Sequence, residues 1–284
     1  MSTKIKWTQA TWNIITGCTK HSEGCKNCYA ANIHKRLTGM GQEKYKEPFS
    51  KVVFHSEELN RVIGKNKLVF VNSMSDTFHE EISDSEINWL LTACQVQPFN
   101  QFQILTKRAY RLPDFKYPEN VWLGVTVEKL KYKDRIEYLK KTNAKIKFLS
   151  CEPLLSDLGK LDLTGINWVI VGGESGPKAR PVHPEWVYSI LRQCKIQNVP
   201  FFFKQWGEWI PENEAKRIKL EKFVGAGMLL NFDGSVANWD DFQNKQSLMF
   251  KIGKKAAGSK IRGREYKEYP ALKQIWDTEN NCRK

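Results

Sequence analysis

Three cysteines near the start of the chain have a spacing that suits metal chemistry. Cys18, Cys25 and Cys28 lie within eleven residues, with six residues in the first gap and two in the second. The C-x2-C pair indicates a metal or redox site, because a short turn aims two thiolates at one point. Gly24 provides the backbone freedom that such a tight loop requires. The sequence therefore predicts a metal centre held by these three thiolates.

Three thiolates are one ligand short of the four that structural zinc sites and simple iron–sulfur clusters use. Either another residue completes the set, with His21 as the local candidate, or one metal position stays open for a substrate or cofactor. The spacing alone leaves both zinc and an iron–sulfur cluster open. The total of seven cysteines is odd, which argues against a disulfide framework. Cys94 and Cys194 lie in apolar helical patterns and are interpreted as core residues, and Cys282 carries no signal.

The elements that position this loop are predicted from short apolar runs that alternate with helical patterns. Their length, composition and turn-type flanks predict seven strands, at residues 10–16, 67–72, 102–106, 121–127, 146–150, 166–173 and 200–206. Helices are predicted at about residues 29–37, at 87–96 after a capping box at 83–86, at 128–141 and at 184–197. Strands that alternate with helices imply parallel pairing. We expect an α/β fold with a full or partial TIM-like (β/α) barrel over residues 1–207, and active sites of such barrels lie at the carboxyl ends of the strands.

The pattern changes after residue 207. Residues 228–239 are typical of a hairpin that turns at Asp233-Gly234. We interpret residues 208–284 as a C-terminal basic extension packed on the barrel. Its densest run of cations either follows a nucleic-acid backbone or forms a solvated surface, and comprises Lys251, Lys254, Lys255, Lys260, Arg262 and Arg264. Trp206 and Trp209 beside it are candidates for base stacking or for core packing.

The chain carries 45 Lys and Arg against 31 Asp and Glu, a net charge of +14. A charge of this size attracts polyanions, so a nucleic acid or nucleotide is the expected partner. No apolar run approaches the roughly 20 residues of a membrane span, and the N-terminus lacks the apolar core of a signal peptide. We therefore expect a cytoplasmic protein without membrane contact.

Motifs along almost the whole chain resemble the phage-type three-cysteine-motif proteins, a family found in phages, prophages and bacteria. They are Trp12-Asn13, Gly17-Cys18, Ser22, Gly24-Cys25, Cys28-Tyr29-Ala30, Ser73-Met74-Ser75-Asp76, Leu105-Thr106-Lys107-Arg108, Gly124-Val125-Thr126-Val127-Glu128, Ser150-Cys151-Glu152-Pro153-Leu154-Leu155, Gly172-Gly173-Glu174-Ser175-Gly176, Phe203-Lys204-Gln205-Trp206-Gly207 and Lys254-Lys255-Ala256-Ala257-Gly258. The resemblance implies a phage-encoded or bacterial radical S-adenosylmethionine protein. In such proteins three cysteines hold a [4Fe–4S] cluster, whose open iron binds the methionine end of S-adenosylmethionine, and an electron from the cluster yields a deoxyadenosyl radical.

The order of motifs is also similar to the spore-photoproduct-lyase branch of radical enzymes, which act on DNA. That similarity rests on the aspartate after the second strand, Asp76, and on Thr106-Lys107 after the third. The first gap between cysteines departs from that branch, since it has six residues here and three there.

Polar residues follow most of the predicted strands, where they would face the mouth of a barrel. Those expected to bind the cofactor are Ser73, Asp76, Glu128, Glu152, Gly172, Gly173 and Glu174. Within this set, Glu128 or Glu152 is expected at the ribose hydroxyls, and Asp76 or Ser73 at the methionine end. Cations expected at a phosphate-bearing substrate are Lys107, Arg108, Arg180 and Lys204.

Cys151 is a candidate hydrogen-atom donor to a substrate radical, or a small buried residue. His79 and His183 lie near predicted strand ends and are candidates for acid–base work or for satisfied polar roles. Three hypotheses follow: a radical S-adenosylmethionine enzyme acting on a nucleic acid or nucleotide, a zinc-stabilised nucleic-acid-binding protein without catalysis, and a radical enzyme acting on a small molecule or peptide. The enzyme hypotheses require an external electron donor and leave open the need for a partner protein.

Overall fold

The computed structural model describes residues 3, 5–218, 227–238 and 246–271, and the structural statements below concern these residues. The chain divides into two compact units. The first unit is Met1–Thr126, Asp134–Phe148 and Ala271–Lys284, and the second unit is Val127–Lys133 and Leu149–Pro270. The boundary expected between residues 207 and 208 stays a prediction.

The strands are β1 (Ala10–Trp12), β2 (Ile15–Thr16), β3 (Val53–Phe54), β4 (Leu68–Val71), β5 (Gln101–Thr106), β6 (Val121–Thr126), β7 (Ile146–Cys151), β8 (Trp168–Gly172), β9 (Phe201–Gln205), β10 (Trp209–Pro211), β11 (Gly227–Leu230), β12 (Ser247–Lys251), β13 (Lys260–Ile261) and β14 (Arg264–Glu265). The α-helices are α1 (Tyr29–Gly39), α2 (Asp84–Gln95), α3 (Arg135–Lys140), α4 (Pro184–Ile196), α5 (Glu212–Arg217) and α6 (Lys254–Ala257). None of these helices has the length and apolar character needed to cross a membrane.

Seven strands form one parallel sheet in the order β1-β4-β5-β6-β7-β8-β9. In the first unit β1 pairs with β4, β4 with β5 and β5 with β6, and in the second unit β8 pairs with β9. The predicted α/β fold is confirmed, and of the two barrels considered the partial TIM-like one is present. The predicted run at residues 10–16 is divided into two strands, of which β2 leaves the sheet and pairs antiparallel with β3.

The local sequence explains why these elements form. Every residue of β4 and of β6 is buried, which is the expected pattern for a parallel strand covered on both faces. Helix α2 begins with the predicted capping box, since Ser83 Oγ accepts from the backbone N–H of Glu86 and the Glu86 carboxylate accepts from that of Ser83. The absence of a side chain at Gly124 lets the ring of Phe148 lie against the backbone, 2.4 Å from where a Cβ would be.

Two further expectations differ from the structure. Residues 128–141 do not form one long helix, because Lys129 is extended, and a single 3-10 turn at Leu130–Tyr132 precedes the short helix α3. Within residues 227–238, the turn at Asp233-Gly234 closes a short pairing, with a bridge between Leu230 and Val236 and backbone hydrogen bonds from Asn231 to Ser235 and from Ala237 to Leu229. Strand β11 also pairs with β12, so that the extension contains a three-stranded antiparallel sheet in the order β10-β12-β11.

Candidate metal centre

The cysteine loop lies between β2 and α1 in the first unit, and its first residues are fixed by close backbone contact. Gly17 has a φ of +80°, and a Cβ at this position would lie 1.9 Å from the carbonyl oxygen of Lys51. The backbone N–H of Cys18 donates to the carbonyl of Phe49 at 2.7 Å. At its other end, Cys28 is the N-cap residue of α1. Only glycine fits the entry to this loop.

Asn72, directly after β4, connects that strand to the turn that precedes the loop. Its Oδ1 accepts from the backbone N–H groups of Ile14 at 3.0 Å and Ile15 at 2.9 Å. Its Nδ2 donates to Thr77 Oγ1 at 2.8 Å, and its backbone is left-handed with a φ of 63°. The sequence predicts Asn72 only as the last residue of a strand. The signal that was available is an asparagine at the end of a buried apolar run, since asparagine tolerates this backbone conformation.

Arg108 contacts the first cysteine. Its side chain is 2% exposed, and its Nη1 lies 3.8 Å from Cys18 Sγ, while its Nη2 lies 3.0 Å from Thr19 Oγ1. The same guanidinium donates to Glu80 at 2.7 Å and to Asp76 at 3.3 Å. A buried cation that follows β5 thus joins two carboxylates to the start of the cysteine loop.

The carboxylate of Asp76 is saturated with donors. Its Oδ1 accepts from Thr106 Oγ1 at 2.6 Å and from the backbone N–H of Phe78 at 3.0 Å. Its Oδ2 accepts from the backbone N–H of Lys107 at 3.0 Å and from Arg108. Four donors fix this buried carboxylate in place, as a buried charge requires.

His79 forms a second link to the loop. Its Nε2 lies 2.7 Å from Thr19 Oγ1, and its side chain is buried. Burial and the nearby charge of Arg108 hold the pKa of His79 below its ordinary value. Neither Thr19 nor Glu80 was singled out from the sequence, because neither residue type at these positions is distinctive. Their positions directly after Cys18 and after His79 were the available signal.

The thiols of Cys18 and Cys25 differ in acidity. Burial, reinforced by the charge of Asp76, raises the pKa of Cys18 to about 12, even though the charge of Arg108 acts in the opposite direction. Burial also acts to raise the pKa of Cys25, but the charge of Lys107 and hydrogen bonds from the loop outweigh it and lower that pKa below the ordinary value.

The hydrogen bonds to Cys25 come from the backbone of His21 and Ser22 and from Ser22 Oγ, which lies 3.8 Å from Cys25 Sγ. His21 is exposed on this loop, and its role as a fourth ligand stays a prediction. Cys28 is half-buried and packs against an apolar cluster that contains Tyr45 and Met74.

The donor set fits a thiolate-bound metal or cluster in its chemistry. Three half-buried free thiols lie on one loop, and the charges of Cys18 and Cys25 influence each other. Within the described residues, no three His, Cys, Asp or Glu side chains are arranged so that they could already hold a metal ion. The role of the three cysteines as joint metal ligands stays a prediction.

The remaining predicted residue of the first unit, Ser73, lies beside the loop. Its hydroxyl donates to Asn13 Oδ1 at 3.0 Å, and its carbonyl accepts from the hydroxyl of Tyr29 at 2.8 Å. Tyr29 follows Cys28 directly, so this hydrogen bond attaches the start of α1 to the residues that follow β4. The first unit thus brings together the three cysteines, Ser73, Asp76, Lys107 and Arg108.

In the second unit, the carboxylate of Glu152 after β7 reaches Lys204 on β9. Glu152 Oε1 lies 3.1 Å from Lys204 Nζ, and Ser150 Oγ donates to Glu152 Oε2 at 3.3 Å. The strand between them, β8, carries Gly172, where a Cβ would lie 2.7 Å from Glu152 Oε1. The glycine therefore leaves room for an ion pair that crosses the intervening strand.

The Gly-Gly-Glu loop after β8 is held by its own arginine. Arg180 donates to both carboxylate oxygens of the buried Glu174, at 2.9 Å from Nε and 2.7 Å from Nη2. A Cβ on Gly173 would lie 1.9 Å from the carbonyl oxygen of Trp206, and one on Gly207 would lie 2.1 Å from that of Glu174. These glycines are explained by two loops that pack backbone against backbone.

The other predicted residues of the second unit are buried. Glu128 and Cys151 are both 0% exposed, and burial raises the pKa of Cys151 well above its ordinary value. His183 caps α4 by accepting from the backbone N–H of Glu185, and its ring packs against Trp186. It also lines a cavity of about 770 Å³, and neither Glu152 nor Lys204 is among the described residues that line it. The catalytic or binding roles expected for all of these residues stay predictions, and Cys282 lies outside the described residues.

Comparison with known proteins identifies a family without assigning an activity. Residues 2–270 match the family described as "Protein of unknown function (DUF5131)", so the chain belongs to that family. No curated protein matches the sequence significantly. Among solved structures, a spore photoproduct lyase complexed with dinucleoside spore photoproduct is similar over 63% of this chain, with 12% identity and a TM-score of 0.34. This chain covers 59% of that lyase chain.

Proposed function

We propose that this member of the DUF5131 family is a radical S-adenosylmethionine enzyme that acts on a nucleic acid or nucleotide. The observation that carries the proposal is the attachment of the three-cysteine loop to the residues that follow β4 and β5, through Arg108, Asp76 and Thr19. A loop whose first cysteine is held by the carboxyl ends of two parallel strands lies where ligands bind in α/β folds.

Cys18, Cys25 and Cys28 would hold a [4Fe–4S] cluster with one iron open to S-adenosylmethionine. When bound, the cluster would supply the electron that cleaves the sulfonium bond of that cofactor. We expect the electron to come from an external donor.

The residues around the loop would prepare the thiolates. Arg108 places a positive charge 3.8 Å from Cys18 Sγ and so favours its thiolate form. Lys107 and the loop backbone do the same for Cys25. Asp76 orients Arg108 but has both oxygens occupied by four donors, so among the predicted contacts to the methionine end we favour Ser73.

The two glutamates expected at the ribose differ in exposure. Glu128 is fully buried, whereas part of the Glu152 side chain is exposed beside Lys204. We therefore propose Glu152 as the ribose-binding residue of the pair. Loss of S-adenosylmethionine binding in Glu152→Gln, with an intact cluster, would support this role, and unchanged binding would exclude it.

The nucleic-acid part of the proposal is supported by the net charge of +14. Lys107 would contribute a phosphate contact. The side chains of Arg108, Arg180 and Lys204 are engaged by carboxylates of the chain itself, so we expect them to position neighbouring residues. The phage-type label and a cytoplasmic location are further predictions.

The proposal is tested by anaerobic reconstitution of the full chain, followed by assay of iron, sulfide and zinc. Dithionite and S-adenosylmethionine are then added, and 5′-deoxyadenosine is measured. We expect about four irons per chain and deoxyadenosine formation, both lost in Cys25→Ala. Cys282→Ala serves as the control for the loss of one thiol and should retain both. Stoichiometric zinc without deoxyadenosine would instead establish the zinc-stabilised binding protein.

A further inference from the structure

Residues 254–264, here called the basic hairpin, concentrate positive charge in the second unit. These eleven residues contain five cations and no carboxylate, and the exposed Glu265, which lies opposite Lys260 in the β13–β14 pair, follows directly. All five are exposed, and they are Lys254, Lys255, Lys260, Arg262 and Arg264. Among the described residues, none of the five forms an ion pair with a carboxylate side chain. The charge of the hairpin is therefore available to a partner.

The hairpin is firmly anchored. The backbone N–H and the Nε1 of Trp206 donate to the carbonyls of Gly258 at 3.1 Å and Lys260 at 2.8 Å. The backbone N–H of Arg262 donates to the buried carboxylate of Glu214 at 2.6 Å. Between the exposed cations, Ile261 is 1% exposed and fills the core. From the sequence, this segment was either a nucleic-acid contact or a solvated surface. In the structure it is attached to Trp206, which follows β9.

Two of the cations lie over aromatic rings. The guanidinium carbon of Arg262 is 4.5 Å from the ring centre of Tyr188, and that of Arg264 is 5.4 Å from the ring centre of Tyr266. Both rings are buried beneath the cations. A cation held against a ring loses less side-chain freedom when it binds an anion, so these arginines are preorganised for phosphate.

The same observations indicate what kind of nucleic acid fits. Strands β13 and β14 have two residues each, so the hairpin is too short to read base edges along a major groove. Trp206 and Trp209 are buried and offer no platform for stacked bases. The exposed cations are suited to contacts with phosphates. A duplex carries twice the charge of a single strand per unit length, about one charge per 1.7 Å.

We propose that the basic hairpin is a docking surface for the phosphodiester backbone of duplex DNA. The contact is independent of base sequence and relies on the release of counterions. In so far as the bound duplex is also the substrate, this inference rests on the proposed function, but the binding itself does not require the cluster.

The test measures binding of a fluorescein-labelled 20-base-pair DNA to the full chain at several salt concentrations. The variant Lys260→Gln/Arg262→Gln/Arg264→Gln removes three phosphate contacts. Its logarithmic salt slope should therefore be shallower by about 3, from about 0.9 for each lost contact. We expect binding to be at least about tenfold weaker in low salt. The wild type should bind the duplex more tightly than a single strand of the same length.

A matched variant separates local from total charge. Lys65→Gln/Lys116→Gln/Lys141→Gln removes the same three charges from exposed positions of the first unit, and Lys65 and Lys141 also lie over rings, of Phe99 and Tyr138. This variant should bind nearly as the wild type does. Equal losses in the two variants, or tighter binding of the single strand, would overturn the proposal.

Two further controls keep the result interpretable. Circular dichroism verifies that both variants fold, and Arg262→Lys/Arg264→Lys, which keeps the charge, should retain most of the slope. Deoxyadenosine formation without DNA is measured on the same preparations. If the wild type binds DNA but forms no deoxyadenosine, the radical chemistry alone is refuted. If deoxyadenosine is formed and the hairpin variant binds DNA as the wild type does, the docking surface alone is refuted.

Discussion

Replacing Arg108 by methionine tests whether its buried guanidinium holds the cysteine loop in place. Methionine keeps much of the apolar stem but removes all five N–H donors. The change leaves Asp76 without one of its four donors and removes the hydrogen bond to Thr19 at 3.0 Å and the contact to Cys18 at 3.8 Å. It also removes the ion pair with Glu80.

The magnitude follows from how much of each partner is buried. Removal of one partner of a buried ion pair costs about 3–5 kcal/mol. Asp76 keeps three donors, so the lower end of this range applies. The Glu80 side chain is 50% exposed, so its pair contributes less than about 1 kcal/mol. We therefore expect Arg108→Met to lower the free energy of unfolding by about 3 kcal/mol.

The assay is urea unfolding of the metal-free protein, in which no cluster contributes to stability. Arg61→Met is the matched control, because Arg61 Nη1 lies 3.3 Å from Glu58, the same distance as in the Arg108–Asp76 pair, but its side chain is 33% exposed. We expect the control to lose less than about 1 kcal/mol.

A double-mutant cycle with Asp76→Asn isolates the pair. Once the guanidinium is gone, the carboxylate no longer has its counter-charge, so neutralising Asp76 in the Arg108→Met background should cost less than in the wild type. We expect a coupling energy of about 1–2 kcal/mol. Additive effects of Asp76→Asn and Arg108→Met, or an Arg108→Met loss no larger than that of the surface control, would refute the reasoning.

Three other predictions follow from the geometry. In metal-free protein at pH 7, iodoacetamide should modify Cys25 faster than Cys18, because the pKa of Cys25 is lowered and that of Cys18 is raised to about 12; peptide mass spectrometry measures both, and equal rates would contradict the assignment. Gly173→Ala should cost at least about 3 kcal/mol because a carbonyl oxygen lies 1.9 Å from the new Cβ, while Gly64→Ala, with open space around it, should be neutral in the same unfolding assay. The pKa of Glu80 is lowered to about 2, because hydrogen bonds and the adjacent guanidinium outweigh its partial burial. Its contribution to the free energy of unfolding is therefore present above pH 4.5 and is lost as the pH falls toward 2. In an acid titration, Glu80→Gln should lose less unfolding free energy over that window than the wild type, and identical curves would contradict this.

The sequence predicted the parallel strands well because buried parallel strands are continuous apolar runs. The run at Leu68–Val71 and the run at Val121–Thr126 are buried throughout. The expected helix over 128–141 was mostly wrong because its amphipathic pattern also suits a 3-10 turn followed by a short helix, as at Leu130–Tyr132 and Arg135–Lys140. The local turn at Asp233-Gly234 was visible, but the partner of β11 lies about twenty residues further along the chain, where no local signal could indicate it.

The sequence indicated which residues of the candidate site follow the strands, but not the contacts between them. Polar residues at the ends of parallel strands gather at one edge, so Asp76 and Arg108 could be chosen from the sequence. Sequence position does not reveal that these two side chains bind each other, nor that Arg180 binds Glu174. Such pairing depends on side-chain direction in three dimensions. For the same reason, the sequence did not indicate that Thr19, next to Cys18, is contacted by both His79 and Arg108.

The difference between the two thiols bears on how the loop would take up a metal. Burial, reinforced by the charge of Asp76, keeps the pKa of Cys18 high, so in the metal-free protein its thiol is a poor nucleophile. A metal cation supplies the positive charge that offsets both Asp76 and the thiolate, so binding would release the proton of Cys18. Cys25, whose pKa is lowered, loses its proton more readily than Cys18 and would engage first. Arg108 then has a distinct part, since its charge beside Cys18 lowers the cost of that deprotonation while its contacts to Thr19 keep the thiol within reach.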